Sequence, residues 1–68
     1  MKSAELIRLL ERHGFRRTDQ TGSHVKMRND AGVTLVVPVH KGKDIGVGLL
    51  YAILRQAGID ANIWKGKP

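Results

Sequence analysis

The stretch that most constrains this chain is His24-Val25-Lys26-Met27-Arg28, where polar and apolar residues alternate with a period of two. An extended strand puts successive side chains on opposite faces, so this pattern reads as a strand over residues 24–28. Val25 and Met27 share one face and need a core. His24, Lys26 and Arg28 share the other and suit solvent or a polar ligand. Turn signals bound the strand on both sides: Thr21-Gly22 before it and Asn29-Asp30-Ala31-Gly32 after it. A sheet with one apolar face follows, and something else in the chain must cover that face.

The cover comes from two amphipathic segments. Ser3 suits an N-cap, Glu5 complements the first turn, and Leu6, Ile7, Leu9 and Leu10 form an apolar stripe opposite Arg8, Glu11 and Arg12. Gly14 suits the left-handed residue that ends a helix, which predicts a helix over about 4–13. Leu49, Leu50, Ile53, Leu54 and Ala57 predict a second helix over about 47–57, ended by Gly58. Residues 33–37 are rich in β-branched types and read as a strand, which Pro38 ends because it has no N–H to donate. Residues 15–20 tolerate a strand, although Phe15 alone is strongly apolar there. Beyond Ile59, Ile63 and Trp64 ask for burial, whereas Lys65-Gly66-Lys67-Pro68 predicts a frayed end. The order is helix, strand, strand, strand, helix. The expected fold is α+β: a single small α-β-β-β-α domain over 1–68, with a core of about 3–59 and a tail over 60–68. Its antiparallel three-stranded sheet carries both helices on one face.

Size then limits what such a fold can do. A domain of 68 residues buries only about 60% of the surface its unfolded chain exposes. It has no room for a deep substrate cavity, so any active site lies on an open face, which suits a long polymer better than a small metabolite. Twelve Lys and Arg against six Asp and Glu give a net charge of +6. That excess favours a polyanionic partner or an acidic protein. There is no cysteine, which excludes disulfides and thiolate metal sites and fits a reducing compartment. The longest apolar run, residues 49–54, is too short to span a membrane, and the N-terminus lacks the apolar core of a signal peptide. A cytoplasmic location without a membrane partner is expected.

The open strand face carries the chemistry. Histidine is the side chain suited to moving a proton near neutral pH, and beyond His24 the cations Lys26 and Arg28 lie two and four residues further along the same face, where they can hold a phosphate. Gly22 permits close backbone approach, and Ser23 can donate a hydrogen bond. A base beside cations is what attack at a phosphodiester uses. RNA brings its own nucleophile, the 2′-hydroxyl, so a ribonuclease needs only to move that proton and stabilise the crowded phosphorus. The same three side chains also make an ordinary solvated face. His40 is a second candidate, as a general acid or as a cap for its loop. His13, at a helix end, reads as structural. Lys41 and Lys43 precede the second helix, whose N-terminus favours anions. Gly46-x-Gly48 lacks the third glycine and the βαβ context of a nucleotide loop, and no His/Glu spacing matches a metal-ligand set. No cofactor or metal is expected. Three aromatic residues are too few for a base-stacking platform.

Taken together, Gly14-Phe15, Gly22-Ser23-His24, Val37-Pro38 with His40, and Ile53-Leu54-Arg55-Gln56-Ala57-Gly58-Ile59 run in an order that resembles the HicA family of toxins over roughly residues 3–59. That resemblance implies a double-stranded-RNA-binding-like fold with the element order derived above. It implies a messenger RNA interferase inhibited by a HicB-like antitoxin protein, with His24 of the Gly-Ser-His element as the catalytic histidine. It also implies that Lys41 and Lys43 meet phosphates, as lysines at that helix N-terminus do in such folds. Two alternatives stay open from the residues: a non-catalytic RNA-binding module using the same basic sheet face, and an interaction domain for an acidic protein.

Overall fold

The computed structural model describes the backbone of residues 1–64 and the side chains of residues 1–62. In chain order it contains α1 (Ser3–Arg12), β1 (Arg16–Thr21), β2 (His24–Arg28), β3 (Thr34–Pro38), α2 (Val47–Ala57) and a single 3₁₀ turn (Ala61–Trp64). This is the expected α-β-β-β-α order. The expected burial of Ile63 and Trp64 and the expected fraying at the chain end lie outside the described residues.

Both helices end the same way. Gly14, at φ +90°, follows α1, and its N–H donates to Glu11 O while the N–H of Phe15 donates to Leu10 O. Gly58, at φ +72°, follows α2, with its N–H on Arg55 O and that of Ile59 on Leu54 O. These paired bonds form a Schellman motif, which closes the last carbonyls of a helix and needs a left-handed residue after it. In each case the chain re-enters the core at the next residue, Phe15 or Ile59.

The start of α1 corrects one expectation. Ser3 is not the N-cap; that position is Lys2, and Ser3 is the first helical residue. The buried Ser3 hydroxyl instead donates to the carbonyl of Pro38, 2.9 Å away, tying the start of α1 to the end of β3. The first turn is closed from the other side by Glu5, whose carboxylate accepts the Lys2 N–H at 2.9 Å.

The sheet has the order β1-β2-β3, antiparallel throughout. Val25 and Met27 of β2 and Leu35 and Val37 of β3 are buried with Leu6, Ile7 and Leu10 of α1 and Leu50, Ile53 and Leu54 of α2. Both helices therefore lie on one face of the sheet, packed against β3. Their cover does not extend over β1, all six residues of which are exposed. Leu49 also departs from expectation: it sits at the edge of the α2 stripe and is 44% exposed. β3 begins at Thr34, one residue later than the composition suggests, because the Val33 N–H is taken by the Asn29 side chain, which closes the preceding turn.

Candidate functional site

The uncovered face of the sheet is built in rows. Cross-strand partners share a face, so the register places Thr21, His24 and Pro38 in one row. Asp19, Lys26 and Val36 form the next, and Arg16, Arg28 and Thr34 the third. Rows are two residues apart along β2, roughly 7 Å. His24, Lys26 and Arg28 are all exposed, as their alternation requires.

Two local features set what surrounds His24. The first is the turn. Thr21 pairs with His24, leaving Gly22 and Ser23 as a two-residue hairpin loop. Gly22 has φ +57° and Ser23 does not have positive φ, which matches a type II′ turn and excludes type I′. Glycine is needed at that first position. The second feature is a bulge in β1 at Thr18: Arg17 pairs with Met27, and Asp19 pairs with Lys26. Strict alternation from Arg16 would put Thr18 and Gln20 on the open face. The extra residue instead puts Asp19 and Thr21 there.

As a result, Asp19, Thr21, His24, Lys26 and Val36 line an open depression of about 370 Å³ on the sheet face. Of the residues singled out in the sequence, His24 and Lys26 meet here. Asp19, Thr21 and Val36 were not singled out, and no glycine or turn residue in β1 signals the bulge that brings the first two in.

Gly22 and Ser23 form the adjacent rim. The Ser23 carbonyl accepts the Val39 N–H at 2.6 Å, which draws the start of the 39–46 loop to the His24 end of the sheet. His40, Lys41 and Lys43 are exposed on that loop, and none of them lines the depression. The loop is fastened from the N-terminus. Lys2 pairs with Asp44 as an isolated antiparallel bridge, the Met1 carbonyl accepts the Ile45 N–H at 2.9 Å, and Lys2 Nζ reaches both Asp44 Oδ1 at 3.1 Å and Gly42 O at 3.2 Å. The Lys2 hydrogen bond, reinforced by its charge, holds the Asp44 carboxyl below its usual 3.8. Arg28 stands apart from the depression, its guanidinium beside Gly32 in the 29–32 turn. His13 Nδ1 lies 3.0 Å from the Leu9 carbonyl, a bond that caps its own helix, as its position suggests.

Among the described residues no group of three His, Cys, Asp or Glu lies close enough to hold a metal ion. No helix among them is long and apolar enough to cross a membrane.

A family model for the HicA toxin of bacterial toxin–antitoxin systems matches residues 3–59. The chain belongs to the HicA toxin family. The match covers both helices and the whole sheet, including the Gly22-Ser23-His24 turn. No curated protein matches the chain.

Proposed function

We propose that this HicA-family chain is a cytoplasmic endoribonuclease, a messenger RNA interferase that cleaves by acid–base catalysis with His24 and without a metal. The observation that carries the reading is His24 beside Lys26 in an open depression on the exposed, cationic sheet face of a toxin-family chain. An open face admits a polymer that a closed pocket would reject. His24 accepts the proton of a 2′-hydroxyl, and the 2′-oxygen attacks the adjacent phosphorus. The bond to the 5′-oxygen breaks, and that oxygen takes up a proton. The products are a 2′,3′-cyclic phosphate and a 5′-hydroxyl. Lys26 faces the charge that builds on the phosphoryl oxygens. Val36, 46% exposed, gives a base or ribose an apolar contact on the same floor. Gly22 and Ser23 let the backbone approach, and Arg28, Lys41 and Lys43 hold flanking phosphates. His40, on the adjacent loop, is the candidate donor to the leaving oxygen.

The test is cleavage of an unstructured RNA in EDTA, beside the same RNA with a single 2′-deoxy position at the cut site. Scission of the RNA alone is expected. Scission of the deoxy substrate, or a requirement for a divalent ion, would overturn the mechanism. Binding without scission would mark the face as a non-catalytic RNA-binding module.

The inhibitor follows from the same face. A HicB-like antitoxin need not insert a plug; it covers His24 with a complementary surface. Burying Lys26, Arg28 or the Lys41–Lys43 loop unpaired is costly, so the partner presents Asp or Glu to them. Diethylpyrocarbonate should modify His24 in the free chain and not in the complex.

A further inference from the structure

At the far end of the open face from the Gly22 turn, Arg16 of β1 and Arg28 of β2 are direct cross-strand partners. Like charges in that relation oppose pairing. Both side chains run to the 29–32 turn. Arg16 Nη1 donates to Asp30 Oδ1 at 2.9 Å, and Arg28 Nη2 lies 4.0 Å from where a Cβ on Gly32 would sit. The Asp30 carboxylate thus pairs with one of the two guanidinia, and among the described residues Arg28 forms no ion pair. Asp30 is not needed to shape the turn. Asn29 does that: its carbonyl accepts the Gly32 N–H at 3.1 Å and its side chain the Val33 N–H at 2.9 Å. The Asp30 side chain is 96% exposed, and an ion pair so open to water is easily exchanged.

We propose that Arg16 and Arg28 form a second anion subsite, which takes a backbone phosphate of the RNA, and that Asp30 occupies it in the free protein. The proposal rests on the RNA reading above. Guanidinium groups match phosphate oxygens in a fork geometry, and a phosphate can engage both arginines where the single carboxylate engages one. The subsite lies two rows from His24, about 13 Å along β2. It therefore holds a phosphate other than the one being cut. The substrate is a strand long enough to reach both places, and the distance between them fixes which bond lies against His24. Asp30 acts as a built-in competitor that disfavours short or weakly charged ligands.

The experiment is a double-mutant cycle read by fluorescence anisotropy, with a labelled 2′-O-methyl RNA oligonucleotide that has no free 2′-hydroxyl to react. The proteins are the full chain, Arg16→Gln, Asp30→Asn, the double variant, and Glu11→Gln. The last removes one exposed negative charge from α1, on the covered side of the sheet. Asp30→Asn should tighten binding about 1.5- to 5-fold, the range of an exposed ion pair, and more than Glu11→Gln does. Arg16→Gln should weaken binding and flatten the log K against log salt slope by at most about 0.7, the value for a whole phosphate, because Arg28 still meets the shared one. In the Arg16→Gln background, Asp30→Asn should lose most of its effect. An equal gain from Asp30→Asn in both backgrounds, or one matched by Glu11→Gln, would reduce Asp30 to net charge and overturn the subsite. Failure of the unaltered chain to bind the oligonucleotide would overturn the RNA reading itself, a result separate from loss of coupling.

Discussion

Neighbouring residues on β2 should fail in opposite ways. Met27 is fully buried in the core, opposite Leu35 in the strand register, while Lys26 stands on the open face. Truncating a buried methionine to alanine costs about 2–5 kcal/mol, from lost transfer energy and the cavity left behind. A 68-residue domain at about 0.05–0.15 kcal/mol per residue has only about 3–10 kcal/mol in total. Met27→Ala should therefore remove a large part of the stability, lowering Tm by about 4–8 °C for each kcal/mol lost. Lys26→Ala should stay within about 0.5 kcal/mol of the parent, as exposed substitutions do, yet weaken RNA binding. Urea unfolding followed by circular dichroism, paired with RNA binding at a temperature where both variants are folded, separates the two. Met27→Ala should bind normally once folded. Equal destabilisation by the two substitutions, or weaker binding from folded Met27→Ala alone, would refute the two-faced reading of β2.

Three further outcomes follow. Gly58→Ala should destabilise by about 1–2 kcal/mol, because the residue must keep φ +72° to close the end of α2; unchanged urea stability would argue against that closure. Asp44 titrates below its usual 3.8 because of Lys2, so the clasp supports the folded loop above the ordinary carboxylate range and loses that support as pH falls through the lowered value. Lys2→Met should return the Asp44 carboxyl, followed by NMR titration, toward 3.8, and an unmoved titration would dissolve the clasp. Neutralising Lys41 or Lys43 should each flatten the salt dependence of single-strand binding by about 0.7 if the 39–46 loop meets phosphates; unchanged slopes would put the RNA elsewhere.

What could be read from the residues depended on how locally the structure is determined. β2 and α2 match their expected limits because each has a strong period, two for His24 to Arg28 and 3.6 for the α2 stripe, with glycine or turn residues at both ends. The two helix ends were legible for the same reason, since Gly14 and Gly58 occupy positions that disfavour other residues. Ser3 misled because a serine before an apolar stripe is a good cap. Its hydroxyl is instead taken by Pro38, a residue 35 positions away that no local pattern reveals. The bulge at Thr18 is of the same kind. Nothing in Arg16-Arg17-Thr18-Asp19-Gln20-Thr21 marks where the register slips, because the strand carries no buried side chain to pin it. So His24 and Lys26 could be placed together from sequence, and Asp19 and Thr21 could not. The Arg16–Asp30 pair joins β1 to a turn 14 residues on and depends on the same pairing.

The central claim is that His24 moves the proton in RNA cleavage, and the single-turnover cleavage rate of His24→Ala tests it most directly. The measurement is made in EDTA at saturating protein, beside circular dichroism and 2′-O-methyl oligonucleotide binding on the same preparation. Because His24 is exposed, the variant should keep its fold and its stability to within about 0.5 kcal/mol. Its oligonucleotide affinity should stay close to that of the parent, and the cleavage rate should fall by about 10²–10⁴, the contribution of a general acid or base. A folded, RNA-binding His24→Ala protein that cleaves at the parental rate would contradict the account.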